Sequence, residues 1–237
     1  MRTVDRTSTE GRKLGGLAAM YLAAALLLAM PFFLVVVKYP SVVDPAEKVA
    51  LIASHQGSMH AMYLITYVVF GIALAVLALA LHQRLASAGP VIMRVASAVG
   101  LMWACVLVAS GMVFNAGMAA VADAYPTDPG RAASIWQTIE PIAQGLGGAG
   151  GEILGGLWIL LVSFAGFRTN GLPKPLTWLG LAAGVVGILS VVPALNDAAQ
   201  VFGLLLIGWL MWLGIVMTRT AKSQSEPIPS NVEVAQT

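Results

Sequence analysis

Six apolar stretches divide this chain, at approximately residues 14–37, 59–81, 95–121, 149–167, 176–195 and 201–217. About 20 apolar residues in helical form cross the roughly 30 Å of a bilayer's hydrocarbon. Inside that layer each backbone polar group must bond within its own segment, so runs this long predict helices and not barrel strands. The expected fold class is all-α: a polytopic membrane bundle of six transmembrane helices. Composition agrees, because only 10% of the residues are charged, too few to cover a water-facing surface.

Orientation follows from Lys and Arg in the short connections. With the N-terminus placed inside, one side carries Arg2, Arg6, Arg12, Lys13, Arg84, Arg94, Arg168, Lys174, Arg219 and Lys222. The other carries only Lys38, Lys48 and Arg131. The alternation predicts both termini on the cytoplasmic side. The expected organisation is a cytoplasmic segment over 1–13, a six-helix membrane domain over 14–218 and a disordered cytoplasmic tail over 219–237. The first apolar run exceeds the 7–15 residues of a signal-peptide core and reads as a retained span.

Two outer connections carry helix-start signals. Asp44 followed by Pro45 predicts a short interfacial helix ending near Gly57. Asp128 followed by Pro129 predicts a second amphipathic helix, interrupted at Pro141 and loosened by glycines after Gln144.

The stretch "GLGGAGGEILGGLW" at 145–158 places one carboxylate, Glu152, among seven glycines. On a helical wheel its near side holds Gly145, Gly148, Ala149, Gly155, Gly156, Ile159 and Ser163. Leu154, Leu157, Trp158 and Leu161 lie opposite. Small faces let membrane helices approach closely while large ones meet lipid, so Glu152 is expected to point into the bundle. Arg168 lies sixteen residues on, which puts Glu152 about 24 Å from the inner boundary. The helix-packing positions are Gly147, Gly148, Gly151, Gly155, Gly156, Gly180 and Gly184.

An ionisable group in hydrocarbon must be paired, hydrogen-bonded or neutral, and such groups mark functional sites by default. The third span presents Ser97, Ala104, Gly111, Asn115 and Ala119 on one face, which brings Asn115 towards Glu152. The second presents His60, Tyr63, Tyr67 and Gly71. Other acidic and amide groups gather at the same end. The expected ligand-binding set is Glu152, Asn115, His60, Tyr67, Gln144, Glu140 and Asp197.

Several chemistries find no support. The glycine run lacks the Lys-Ser/Thr ending of a P-loop. His60 and His82 sit at opposite ends of one predicted helix, too far apart to share a haem. His55 and His60 fall about 140° apart around a helix, unlike the i, i+4 zinc pair. They remain weak metal candidates, since a break at Gly57 would bring them towards Glu140 or Glu152. No lysine stands mid-span to carry retinal, and the span centres offer no polar pore. Cys105 is the only cysteine and forms no intrachain disulfide. A net charge of +2, with scattered basic residues, predicts no nucleic-acid partner.

The segment "GGAGGEILGGLWILLVSFAGFRTNGLPKPLTWLGLAAGVVGILSVVPAL", followed by "VFGLLLIGWLMWLGIVM", resembles bacterial six-span membrane proteins of a domain-of-unknown-function family, number four-three-eight-six. The similarity is best over 147–219. It implies a compact helical membrane domain of bacterial origin, expected in the inner membrane with both termini cytoplasmic, and transfers no chemistry.

The resulting expectation is an outward-facing polar pocket around Glu152. It would bind a small or lipid-like ligand, or a membrane partner such as a second copy, without catalysis or cofactor. A small proton- or cation-coupled transporter is the first alternative. A membrane-embedded hydrolase or transferase, using His55 or His60 with Glu140 or Glu152, is the second.

Overall fold

The structure, a computed structural model, describes residues 2–147, 152–195 and 197–223. All regular elements among them are helical. They are α1 (Arg2–Pro31), α2 (Pro45–Tyr63), α3 (Phe70–Leu85), α4 (Pro90–Ala124), α5 (Pro129–Gly147), α6 (Ile153–Thr169), α7 (Lys174–Leu189) and α8 (Ala198–Ser223). Two π-helical segments extend them: Phe32–Val36 continues α1, and Leu64–Val69 joins α2 to α3.

Helices α1, α3, α4, α6, α7 and α8 pack in that order, and α8 returns to α1, closing a ring. Close backbone approach seals two of the seams. A Cβ on Gly156 would stand 2.8 Å from Ile188 N and 2.9 Å from Gly184 O, so only glycine lets α6 and α7 meet there. Gly16 and Gly214 hold α1 against α8 in the same way, each facing the other's carbonyl. Van der Waals contact of this kind is what associates helices when the solvent is as apolar as their side chains.

Four helical rods are long and apolar enough to cross a membrane: Glu10–Val36, Pro45–Leu85, Pro90–Ala124 and Ala198–Thr220. The α6 and α7 helices are shorter, with 17 and 16 residues, or about 25 Å each.

Charge divides the two ends. Arg84 Nε and Nη2 donate to Gly171 O at 3.2 and 3.1 Å, tying the α3–α4 turn to the α6–α7 turn. Gly15 packs on Ala80 and Met217, bringing the start of α1 beside the ends of α3 and α8. This lower end therefore holds Arg12, Lys13, Arg84, Arg94, Arg168, Lys174 and Arg219, while Lys38, Lys48 and Arg131 lie at the upper end.

The upper ends of α2 and α4 carry α5 between them as a cap with its own core. There Tyr63 stacks on Phe114 with centroids 4.3 Å apart, and Ile52, Met59, Met118 and Trp136 are fully enclosed. The cap helices start where the sequence predicts. Asp44 Oδ1 accepts from Ala46 N and Glu47 N, both at 2.9 Å, and Asp128 Oδ1 accepts from Arg131 N at 2.9 Å.

Several expectations need correction. The outer helix from Pro45 does not end near Gly57. It runs into the next span with a kink at His55, whose φ of −114° and ψ of 16° are non-helical. Pro141 does not interrupt α5, because it lies on the exposed face and costs only the bond from its missing N–H to Gln137 O, a carbonyl on the same exposed side. The fifth apolar run is helical only to Leu189, followed by a turn and a short 3₁₀ segment at Pro193–Leu195. Helix α8 continues through 219–223, where a disordered tail is expected, and the rest of that tail lies outside the described residues. Trp158 does not face lipid. It is fully buried, for a reason given below.

Candidate functional site

The first turn of α6 decides where the acid stands. Glu152 is its N-cap residue, and its carbonyl accepts the first intrahelical bond from Gly156 N at 2.8 Å. Its own N–H donates to Ser190 Oγ at 3.0 Å, and Ser190 in turn donates to Gly187 O at 2.6 Å. The end of α7 thus supplies the partner that a helix start needs. The carboxylate is left directed at a cleft.

That cleft measures about 220 Å³ and lies inside the upper half of the ring. Its polar groups are Glu152, Tyr67 and Thr66. Phe33, Phe70, Trp103 and Phe202 supply aromatic walls, and Gly203 of α8 lies open on one side. Both π segments border it, one through Phe33 and the other through Thr66 and Tyr67. Such π turns widen a helix and re-aim its side chains. In the second of them Ile65 O accepts the Tyr21 hydroxyl of α1 at 2.8 Å. A second cleft of about 290 Å³ opens on the other side of Trp103 and Glu152, bordered by Leu146, Ile153 and Leu154. Leu146 and Ile153 are exposed on the outside of the ring.

The floor is aromatic. Trp103 of α4 rests on Gly155 of α6, and Trp158 of α6 rests on Gly100 of α4, a reciprocal interlock. Trp103 and Trp158 have centroids 5.8 Å apart, and Trp158 and Trp209 5.9 Å. Gly155 of the wheel argument is therefore a socket for an indole, as Gly100 is on α4. That is why a bulky Trp158 points inward on a helix whose small face also points inward.

The remaining expected site residues separate into groups. Glu152 and Tyr67 share the cleft. Gly147, at the end of α5, packs on Ser110 and Tyr67 and also lines it. Asn115 does not line the cleft. It is buried five residues beyond Ser110 on α4, about 7.5 Å further towards the cap, and neither amide atom has a hydrogen-bond partner among the described residues. His60 is exposed on α2, and Asp197 is exposed just before α8. Gly155, Gly156, Gly180 and Gly184 all sit at helix contacts, while Gly148 and Gly151 lie outside the described residues.

Glu140 and Gln144 belong to the cap. Glu140 accepts from the Tyr39 hydroxyl at 2.7 Å, from Lys48 Nζ at 3.1 Å and from Gln144 Nε2 at 3.2 Å. Trp136 Nε1 donates to the Tyr39 oxygen at 2.8 Å. This network pins the α1–α2 connection and α2 onto α5. His55 Nδ1 lies near Ser54 Oγ and Leu51 O, at 2.9 and 3.3 Å. Among the described residues no three His, Cys, Asp or Glu side chains are grouped to hold a metal ion.

Phe33, Thr66, Trp103 and Ser190 are absent from the sequence-derived set. One signal was available for Trp103. Gly100 and Trp103, like Gly155 and Trp158, are spaced three apart, and each glycine receives the other pair's indole.

A family model described as a domain of unknown function, DUF4386, matches residues 17–217. The chain belongs to the DUF4386 family. The DUF4386 match spans the whole ring from α1 to α8, and so extends well before the 147–219 stretch that carries the resemblance in the sequence. Comparison with curated proteins and with solved structures gives no match.

Proposed function

We propose that this DUF4386 protein is a six-span protein of a bacterial inner membrane with both termini cytoplasmic, and that its outward cleft binds a small or lipid-like ligand without catalysis. The asymmetry of basic residues between the two ends supports the orientation. The short α6 and α7 count as spans because a mismatch of a few ångströms is met by thinning of the bilayer at modest cost. On that frame the kinked upper part of α2 and the upper part of α4, with α5, stand at the outer surface.

The observation that carries the ligand reading is Glu152. Its carboxylate borders a cleft of about 220 Å³ and makes no hydrogen bond or ion pair with a described side chain. An acid kept in such a place at the cost of desolvation is one that a ligand completes. A transporter has less support, because below the cleft the ring is filled by Trp158, Trp209 and their neighbours.

A Glu152→Gln variant is isosteric, and it should insert and melt like the parent. Its affinity for ligands extracted from the native membrane should fall at least tenfold. Unchanged binding would remove the residue on which the reading rests.

A further inference from the structure

Resting on that reading, we infer that the ligand is an amphipathic cation: a protonated or quaternary ammonium head held between Glu152 and the aromatic walls, with a hydrocarbon tail leaving between α4 and α6.

The head group follows from what surrounds the central cleft. Its one carboxylate is Glu152, and no Lys, Arg or His stands among the described residues that line it. Lys48 is engaged with Glu140 in the cap, and Arg84 and Arg94 lie at the opposite end. Around the same volume stand Phe33, Tyr67, Phe70, Trp103 and Phe202, drawn from the Phe32–Val36 and Leu64–Val69 segments, α3, α4 and α8. Aromatic faces attract cations, most strongly where water is excluded, and quaternary ammonium groups are bound in cages of this kind. An anion would meet a carboxylate and ring faces of the same sign. A neutral ligand would leave the acid unpaired.

The tail follows from the second cleft. The central volume of about 220 Å³ is below the 300–1,000 Å³ usual for whole small-molecule sites, and suits a head group. The neighbouring cleft of about 290 Å³ shares Trp103 and Glu152 with it. Its other sides are apolar, and they include Ile153, 49% exposed, and Leu146, 37% exposed, on the face that meets lipid. A molecule with its ammonium beside Glu152 can therefore lay a chain past Ile153 into the bilayer.

The test uses the full chain in nanodiscs, with tryptophan fluorescence reporting at Trp103. Three probes share a twelve-carbon chain: dodecyltrimethylammonium, dodecanoate and a neutral dodecyl glycoside. A short control, butyltrimethylammonium, lacks the tail. The ammonium probe should bind at least tenfold tighter than the other two and tighter than the short control, and Glu152→Gln should abolish the charge preference. Equal affinity for all three long probes would overturn the cation inference while leaving a ligand cleft in place. Binding of none of them would overturn both readings. Because the comparison of charges is made on the parent protein, the outcome stands even if the variant misfolds.

Discussion

Glu152 and Ser190, thirty-eight positions apart, are joined by a 3.0 Å hydrogen bond from the backbone N–H of one to the hydroxyl of the other. This bond fixes the start of α6 to the end of α7, and with it the direction of the Glu152 carboxylate. Ser190→Ala removes the acceptor and leaves a part-buried N–H unpaired. The loss should cost about 1–3 kcal/mol, read as a lower melting temperature in detergent. Ligand affinity should fall with it, because the acid loses its fixed position.

The seam between α6 and α7 leaves no room for a side chain at Gly156. Gly156→Val should destabilise by at least about 1–3 kcal/mol, because the added atoms meet backbone at 2.8–2.9 Å and the two helices must part. Gly203→Ala is the control, since a Cβ there has nothing within 4 Å. It should melt within about 0.5 kcal/mol of the parent.

The cap depends on Tyr39, which both accepts from Trp136 and donates to Glu140. Tyr39→Phe strands the buried indole N–H and should cost about 1–3 kcal/mol. Burial raises the Tyr39 pKa above its usual value, with Tyr63 and Glu140 adding to the effect. The contribution of a group shifted this way is complete below its unfolded pKa of about 10 and is lost as pH climbs towards the folded value. Melting curves above about pH 10 should fall more steeply for the parent than for Tyr39→Phe.

Orientation has its own check. Cys105 is the only cysteine, so Cys105→Ala gives a background without thiols. In whole cells, Lys38→Cys on that background should react with a membrane-impermeant maleimide, and Arg94→Cys should react only after lysis. The reverse pattern would invert the protein.

How much of this was legible in the sequence depends on what each residue answers to. The helices were readable because hydrocarbon forces each segment to satisfy its own backbone, and the caps at Asp44 and Asp128 because they are local. The setting of Glu152 was readable only in part. Gly155 and Gly156 do sit at helix contacts, but α6 starts at Ile153, so Glu152 is its cap and not a residue on its wheel, and Gly145 belongs to α5. The inward turn of Trp158 was not readable, because it depends on Gly100, fifty-eight positions earlier, offering a socket on another helix. The separation of Glu140 from Glu152 was hidden too. Both acids lie near one end of the bundle, but Lys48 and Tyr39 claim one of them for the cap, and that pairing is set only by tertiary packing.

The most direct test of the cleft fills it. Gly203→Phe places a ring in the empty space beside Phe202, while Gly208→Phe adds the same ring where a Cβ also has nothing within 4 Å, on the exposed outer side of the same helix. Native mass spectrometry of protein released from its own membrane should find a bound small molecule on the parent and on Gly208→Phe, and none on Gly203→Phe. An identical adduct on all three proteins, or on none, would contradict a ligand site at Glu152.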